Sequence, residues 1–436
     1  MSIRSSMSHV VREDAGGITI FALFMFMSCI ILGGLAVDIA RVQTATTRLQ
    51  NAADAAAHAA VYSRPRMSET EARAVAVDVA ARNLPADWQG AVITGEDIVF
   101  GDWEPISGTF VARAGATKAV RVTGRLNQSR GNRLEMTLLR FAGVSSWDIE
   151  QTSIMQAADH DCLQEGMVSE TSVEFADSNQ FGSGFCVHSN RNMKVGLSNV
   201  FQSAVTVSMP DPGGIWMPAN GFSVNSGLQA ALRPDHHKLR LLTRLGDIIS
   251  GLTTPGSEFI PDYITNHEVI THTSRTVRAT TVTPGRIHWV NCAPLQNLTI
   301  ASGTRLNNVV IVTNCRVDIN VGAVLENAVL ATTHTGTTSI SAVNGVQVGK
   351  NDDCATGGGA QLITLGGMRF TTALQVYGGQ LAAAKGIGFT SVPGGVKGAM
   401  IIAGGEIAGT SGMTFAACGG AGMEDNYSFP STQLVN

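Results

Sequence analysis

Apolar and polar positions change their pattern several times along the chain. Residues 18–37, ITIFALFMFMSCIILGGLAV, form 20 consecutive positions without a charge. At about 1.5 Å of rise per residue this run spans roughly 30 Å as a helix, the thickness of a bilayer's hydrocarbon core. A lone spanning segment must satisfy its own backbone hydrogen bonds, so a helix is predicted. From Asp38 the pattern turns amphipathic. Ile39, Val42, Leu49, Ala52, Ala53, Ala56 and Ala60 recur at helical spacing. One continuous helix over residues 18–62 follows. Its stripe Ile39, Val42, Leu49, Ala53, Ala56 and Ala60 suits close approach, either of a partner helix or of the chain's own body. A second helix is predicted over residues 68–83, where Ser68 and Glu71 make a capping box and Pro85 lies just past the end.

Alternation of period two then takes over. Residues 98–103, 108–112, 119–126 and 147–157 read as short strands, with an amphipathic helix over 134–141 between them. This makes a small α+β unit ending near Ala158. Beyond it, short apolar strands repeat between Asn and Gly turns. Residues 306–312 match 325–331 at an offset of 19, and 295–300 is a looser copy at an offset of 11. A period near 20 predicts a parallel β-solenoid of on the order of ten coils. Residues 303–348 carry the pattern most strongly. Residues 211–261, with several prolines and a helical stretch at 234–249, read as an insertion packed on its side. The polar tail, 423–436, is expected to cover the last coil. The expected fold is mainly β. Its parts are a head (1–17), a span (18–37), a helical extension and α+β neck (38–158) and a solenoid-like body (159–436).

Composition narrows the function. Charged residues make up 15% and the net charge is -4, so no nucleic-acid surface is expected. The 48 glycines are mixed with Val, Ile and Leu, as turns among strands rather than as a flexible linker. Arg4 and Arg12, with His9 between them, favour a cytoplasmic N-terminus, although Arg41 and Arg48 follow the span closely. Cys29 lies in the span. Cys162, Cys186, Cys292, Cys315, Cys354 and Cys418 all lie in the body, which suits an oxidising compartment. Cys162 with Cys186 and Cys292 with Cys315 are each about one coil apart, which leaves Cys354 for Cys418, though six cysteines permit many connectivities. A cleaved signal is the rival to a retained anchor, since Gly34-Leu35-Ala36 is a small-x-small triplet. A prepilin-type cut after Gly17 would place Ala22 where such substrates carry Glu.

The apolar helix running into Ala36-Val37-Asp38, followed by Leu49-Gln50-Asn51-Ala52-Ala53-Asp54-Ala55-Ala56, resembles the N-terminal signature of the TadE/G-like proteins of Tad (Flp) pilus assembly. Gly101, Trp103, the strand 119–123 and a short helix ending in Gly143 are also similar to that family. The resemblance covers residues 15–158. It implies a non-enzymatic, inner-membrane-anchored component with its body in the periplasm. The partners it implies are the membrane, other pilus assembly proteins and an outer-membrane or cell-wall component. Larger members carry a von Willebrand A-type domain, but its D-x-S-x-S motif is absent here, and that domain is not expected.

Candidate chemistry is sparse. In the body, Asp352 and Asp353 beside Lys350 form the best acidic cluster for such chemistry, followed by Asp318 and Glu326 with Arg316. A β-helical polysaccharide lyase or hydrolase would need convergent carboxylates. A carbohydrate-binding adhesin would need a row of aromatics, for which Trp216, Trp289 and Tyr377 are few. His236 with His237 and His267 with His272 lack zinc spacing. No nucleotide loop or Gly-x-Ser-x-Gly occurs. No catalytic residue, cofactor or metal is expected.

Overall fold

The computed structural model describes residues 15–64, 67–104, 107–158, 161–371, 373–390, 395–409, 411–429 and 431–435. Arg4, His9 and Arg12, on which the orientation rests, lie outside the described residues. The chain divides into two compact units, one of Met1–Ala158 with Pro430–Asn436 and one of Asp159–Phe429.

In the first unit, helix α1 runs unbroken over Ala15–Ser63, roughly 70 Å at helical rise. Its first half is apolar and exposed, with Ile18, Phe21, Phe24 and Phe26 each more than 60% accessible. It is the one helix among the described residues long and apolar enough to cross a membrane. Helix α2, Glu69–Asn83, begins at the expected capping box: Ser68 Oγ accepts from Glu71 N, and the Glu71 carboxylate accepts from Ser68 N. Five antiparallel strands complete the unit, in the spatial order Thr109–Ala112, Ile98–Glu104, Ala119–Leu126, Ile149–Ala158 and Ser431–Leu434.

The small side chains of α1 meet those of α2. Ala52, Ala53, Ala56, Ala57 and Ala60 share one core with Ala72, Ala76 and Ala80. Leu49 packs on the sheet at Gly124, where a Cβ would lie 2.7 Å from Leu49 Cδ1, so glycine there admits the leucine. Of the stripe anticipated for a partner helix, Leu49, Ala53, Ala56 and Ala60 are therefore fully buried in the chain's own unit. Val42 packs partly against this core and Ile39 stays 45% exposed. Periodicity marks a face that is covered, but not by what.

Two expectations for this unit are corrected. Residues 134–141 are not an amphipathic helix: Leu134–Glu135 pairs with Ser146–Trp147, and a single 3-10 turn spans Leu139–Ala142 before Gly143 at φ 90°. The last part of the tail does not cap the final coil, because Ser431–Leu434 is the fifth strand of this sheet.

The second unit is a parallel β-solenoid of about 12 turns with three faces. The offset of 19 is one coil: Leu306 pairs with Leu325 and Val310 with Val329. Asn308 and Asn327 hold the corner between third and first faces at φ 53° and 45°, a left-handed conformation asparagine tolerates. The looser copy at 295–300 is not equivalent, because Asn297–Ile300 lies on the second face and pairs with Arg316–Ile319. Strands on both faces carry the same local apolar pattern, so a short match does not tell them apart.

The coils are not stacked in chain order. Along the first face the spatial sequence is Leu232–Pro234, Thr206–Met209, Cys186–Ser189, Gly166–Ser169, then Gly395–Ala403, Gln375–Ala383, Ala360–Thr364, Val324–Thr332, Arg305–Thr313, Arg286–Val290 and Asn266–His272. The chain enters mid-solenoid, builds one arm outwards, returns to the far end and coils back to its own beginning.

The return leg includes the helix Arg240–Gly251, six residues later than the expected start. It buries Leu241, Leu245, Ile248 and Ile249 in a cluster with Val310, Val312, Ala331 and Ile363 of the first face. Phe429 and Met423 complete that cover. The strand runs VVIVT and AVLAT are accordingly apolar on both sides, whereas second-face strands such as RVDI alternate.

Candidate functional site

One buried polar site of the first unit lies where α1 leaves its apolar run. Asp38, one residue beyond that run, is fully buried. Its carboxylate accepts from Thr137 N at 2.9 Å, Leu138 N at 2.8 Å and Leu139 N at 2.6 Å. The neighbouring Arg41 donates to Thr137 Oγ1 at 2.7 Å. Three convergent backbone donors compensate a buried carboxylate as water would. Leu138 is also pressed against the helix, since a Cβ on Gly34 would stand 2.8 Å from Leu138 Cβ. The segment 136–147 is thus latched to α1 by charge at Asp38 and by shape at Gly34.

A second buried carboxylate stiffens the sheet beneath it. Asp97 receives Arg125 and Arg130 together with Thr94 N. An open cleft of about 1020 Å³ adjoins these groups and is lined by Arg41, Arg73, Arg130 and Arg133. Each of these cations already has a partner: Thr137, Glu69, Asp97 and Asp148 respectively.

In the solenoid the sequence-selected acids are dispersed. Asp353 is exposed and paired with Lys397, whose ammonium holds the carboxyl below its usual range. A general acid needs the opposite shift. Asp352 pairs with Lys350 at 3.4 Å, and the pocket beside them holds about 10 Å³, too little for a sugar. Asp318 is taken up by Arg316, Asn297 and Ser341, and Glu326 by Arg305. Trp216 is 56% exposed under the Lys194 ammonium. Trp289 packs against the cluster beneath the return leg and Tyr377 lies on the third face, so the three aromatics form no row. Among the described residues no group of three or more His, Cys, Asp or Glu gathers to hold a metal.

The cysteines pair as Cys162–Cys186, Cys292–Cys315 and Cys354–Cys418. The first two join neighbouring coils and close loops of 24 and 23 residues, each worth about 3 kcal/mol by chain entropy. Cys29 is free and exposed in the apolar run.

His236 and His237 precede the return helix, which starts at Arg240. His237 is buried, with its ring tilted by 50° against that of His188 and the centroids 4.1 Å apart. His188 bonds Ser208 Oγ at 2.7 Å and Asn190 Oδ1 at 2.8 Å. This Ser–His–Asn order has the look of a nucleophile relay, but Ser208 is fully buried, so no substrate reaches it. His272 Nε2 lies 2.8 Å from His288 Nδ1 on the adjacent coil.

Burial lowers the pKa of both His188 and His288. The unfolded chain therefore binds more protons than the folded one below about pH 6.5. The stability these neutral rings contribute is present above that pH and is lost as pH falls. Thermal stability followed from pH 7.5 to 5.5 is expected to fall. His188→Asn with His288→Asn should flatten the profile. Asp425, raised by burial, acts with the opposite sign.

The join of the coils escaped sequence reading. Gly166–Ser169 pairs in parallel with Met400 to Ala403, Val173 with Ile407, and Phe181 with Phe415. Phe181 stacks on Phe415 at 5.0 Å and on Phe201 at 4.6 Å. A buried asparagine ladder runs alongside. Met413 N donates to Asn179 Oδ1, Asn179 N to Asn199, and Asn199 N to Asn225. Glu165 locks the same join by accepting from Cys418 N and Gly420 N. The one available signal was the recurrence of Asn179 and Asn199 at a spacing of 20.

With this geometry in place, the chain is a parallel β-solenoid carried behind one long apolar helix whose N-terminal part is TadE/G-like: residues 16–81 match a family model described as putative Flp pilus-assembly TadE/G-like. Residues 166–419, more than half the chain, match the model described as a domain of unknown function (DUF7867), and the chain belongs to that family. That match runs from one side of the join to the other. The TadE/G-like match stops within α2, so the strands at 98–158 are not part of it. Searches among curated proteins and among solved structures found no match.

Proposed function

We propose that this protein is a membrane-anchored, non-enzymatic component of Tad (Flp) pilus assembly, its N-terminus cytoplasmic and its solenoid in the periplasm. The observation that carries the reading is the continuity of one helix: the TadE/G-like segment and the 20-residue apolar run occupy the same α1. Three disulfides in the body and none in the span favour an oxidising compartment for the body. The paired, dispersed carboxylates favour a structural role over catalysis. The solenoid offers long, rigid second and third faces for pilus or cell-wall components.

Deletion of the gene followed by counting surface pili in electron micrographs tests the reading. Pili are expected to be lost, and restored by the full chain but not by one lacking residues 18–37. Normal pilus numbers would refute the assembly role.

A further inference from the structure

We propose that the segment 138–147 is a second membrane contact, an interfacial foot that rests in the headgroup region of the bilayer beside α1. The inference rests on the reading of residues 18–37 as a membrane span. Gly34 lies three residues before the end of the apolar run, about 4.5 Å inside it along the helix. Leu138 packs on α1 at that level, so the turn that follows starts within the depth of the apolar run. It then presents Phe141 at 79% exposure, Val144 at 37% and Trp147 at 48%.

Single exposed apolar residues are common on soluble surfaces. Here three fall within seven residues, and they adjoin a surface that is itself exposed and apolar. Arg140 stands over the Phe141 ring at 5.2 Å, and Arg133 and Asp148 pair behind the hairpin. An aromatic ring beside a guanidinium is the chemistry of the membrane–water boundary, where the ring enters the acyl edge and the cation reaches phosphate. The occupant is therefore lipid, and the argument for it is continuity with the span. Asp38 explains how the foot is held, since its three backbone bonds fix the first residues of the turn relative to α1. A chain so built is braced at two points, which restricts the tilt of its helix.

The test uses the full chain in liposomes. With Cys29→Ser as background, Phe141→Cys and Val144→Cys are labelled with an environment-sensitive fluorophore. Ile31→Cys serves as the span reference and Met67→Cys as the distal reference. Met67 lies beyond the end of α1, roughly 40 Å from the apolar run. The labels at 141 and 144 are expected to emit blue-shifted light. They should be quenched severalfold more by lipids brominated near the glycerol than by lipids brominated near the chain end. The label at 67 should not respond. A quenched label at 31 with unquenched, water-exposed labels at 141 and 144 would overturn the foot and leave the span standing. Unquenched labels at all sites would overturn both. A blue shift at 141 that grows with protein density and ignores brominated lipid would assign the segment to a second copy of the chain, which also overturns the proposal.

Discussion

Asp38→Ala is expected to destabilise the first unit and to loosen the segment 136–147 from α1, because it removes the anion that three backbone donors share. The carboxylate is fully buried and is shared by the N–H groups of Thr137, Leu138 and Leu139. Alanine leaves those donors without their anion. Asp38→Asn keeps one oxygen and should lose less. Hydrogen exchange in detergent provides the measurement: the amides of residues 137–139 should lose protection first, with the sheet strands following only as the unit melts. Unchanged protection in the alanine variant would mean that packing of Leu138 at Gly34 holds the segment unaided.

Phe181→Ala is expected to cost the solenoid about 3–5 kcal/mol, as for other buried aromatics. The location of the damage matters more than its size. Phe181 is fully buried between Phe415 and Phe201, so its loss weakens the contact between the coils that come first and last in the sequence. Phe389→Ala removes a comparable ring, stacked on Phe370 at 5.4 Å between coils consecutive in sequence. Exchange should rise around both 166–181 and 400–416 in the first variant, and only near 368–389 in the second. Identical exchange maps would show that the join carries no special share of cooperativity.

Much of this architecture is legible in the sequence, and the physical reason is period. The unbroken apolar run, the capping box at Ser68 and the offset of 19 are local patterns, and local patterns survive in one dimension. The cysteine spacing was informative because it approximates the local coil, 20 residues from Gly166 to Cys186 and 23 from Arg286 to Val309. Residues 134–141 misled because a helical apolar pattern does not reveal that Asp38, about a hundred residues earlier, captures their amides. The tail misled for a related reason: the edge it was expected to cover is already paired with Gly166–Ser169. Pairing between residues more than two hundred positions apart leaves no periodic trace. The candidate site was half visible, since Asp38 stood in the quoted Ala-Val-Asp motif while its partners did not.

The mid-solenoid join also sets how the body bears load. Its chain enters near residue 161, beside the join at Glu165 and Cys418, and leaves near residue 429, where Tyr427 bonds Gln380 one coil further on, so the join lies between the two points. Tension applied through the two ends would pull on the join itself, where hydrogen-bonded strands on three faces, the phenylalanine stack and Glu165 all resist together. The outer coils, at Leu232–Pro234 and at Asn266–His272, would feel almost none of it. A solenoid threaded from end to end would unwind coil by coil under the same force. This one is a closed clasp, holding until its join breaks and then releasing two arms at once.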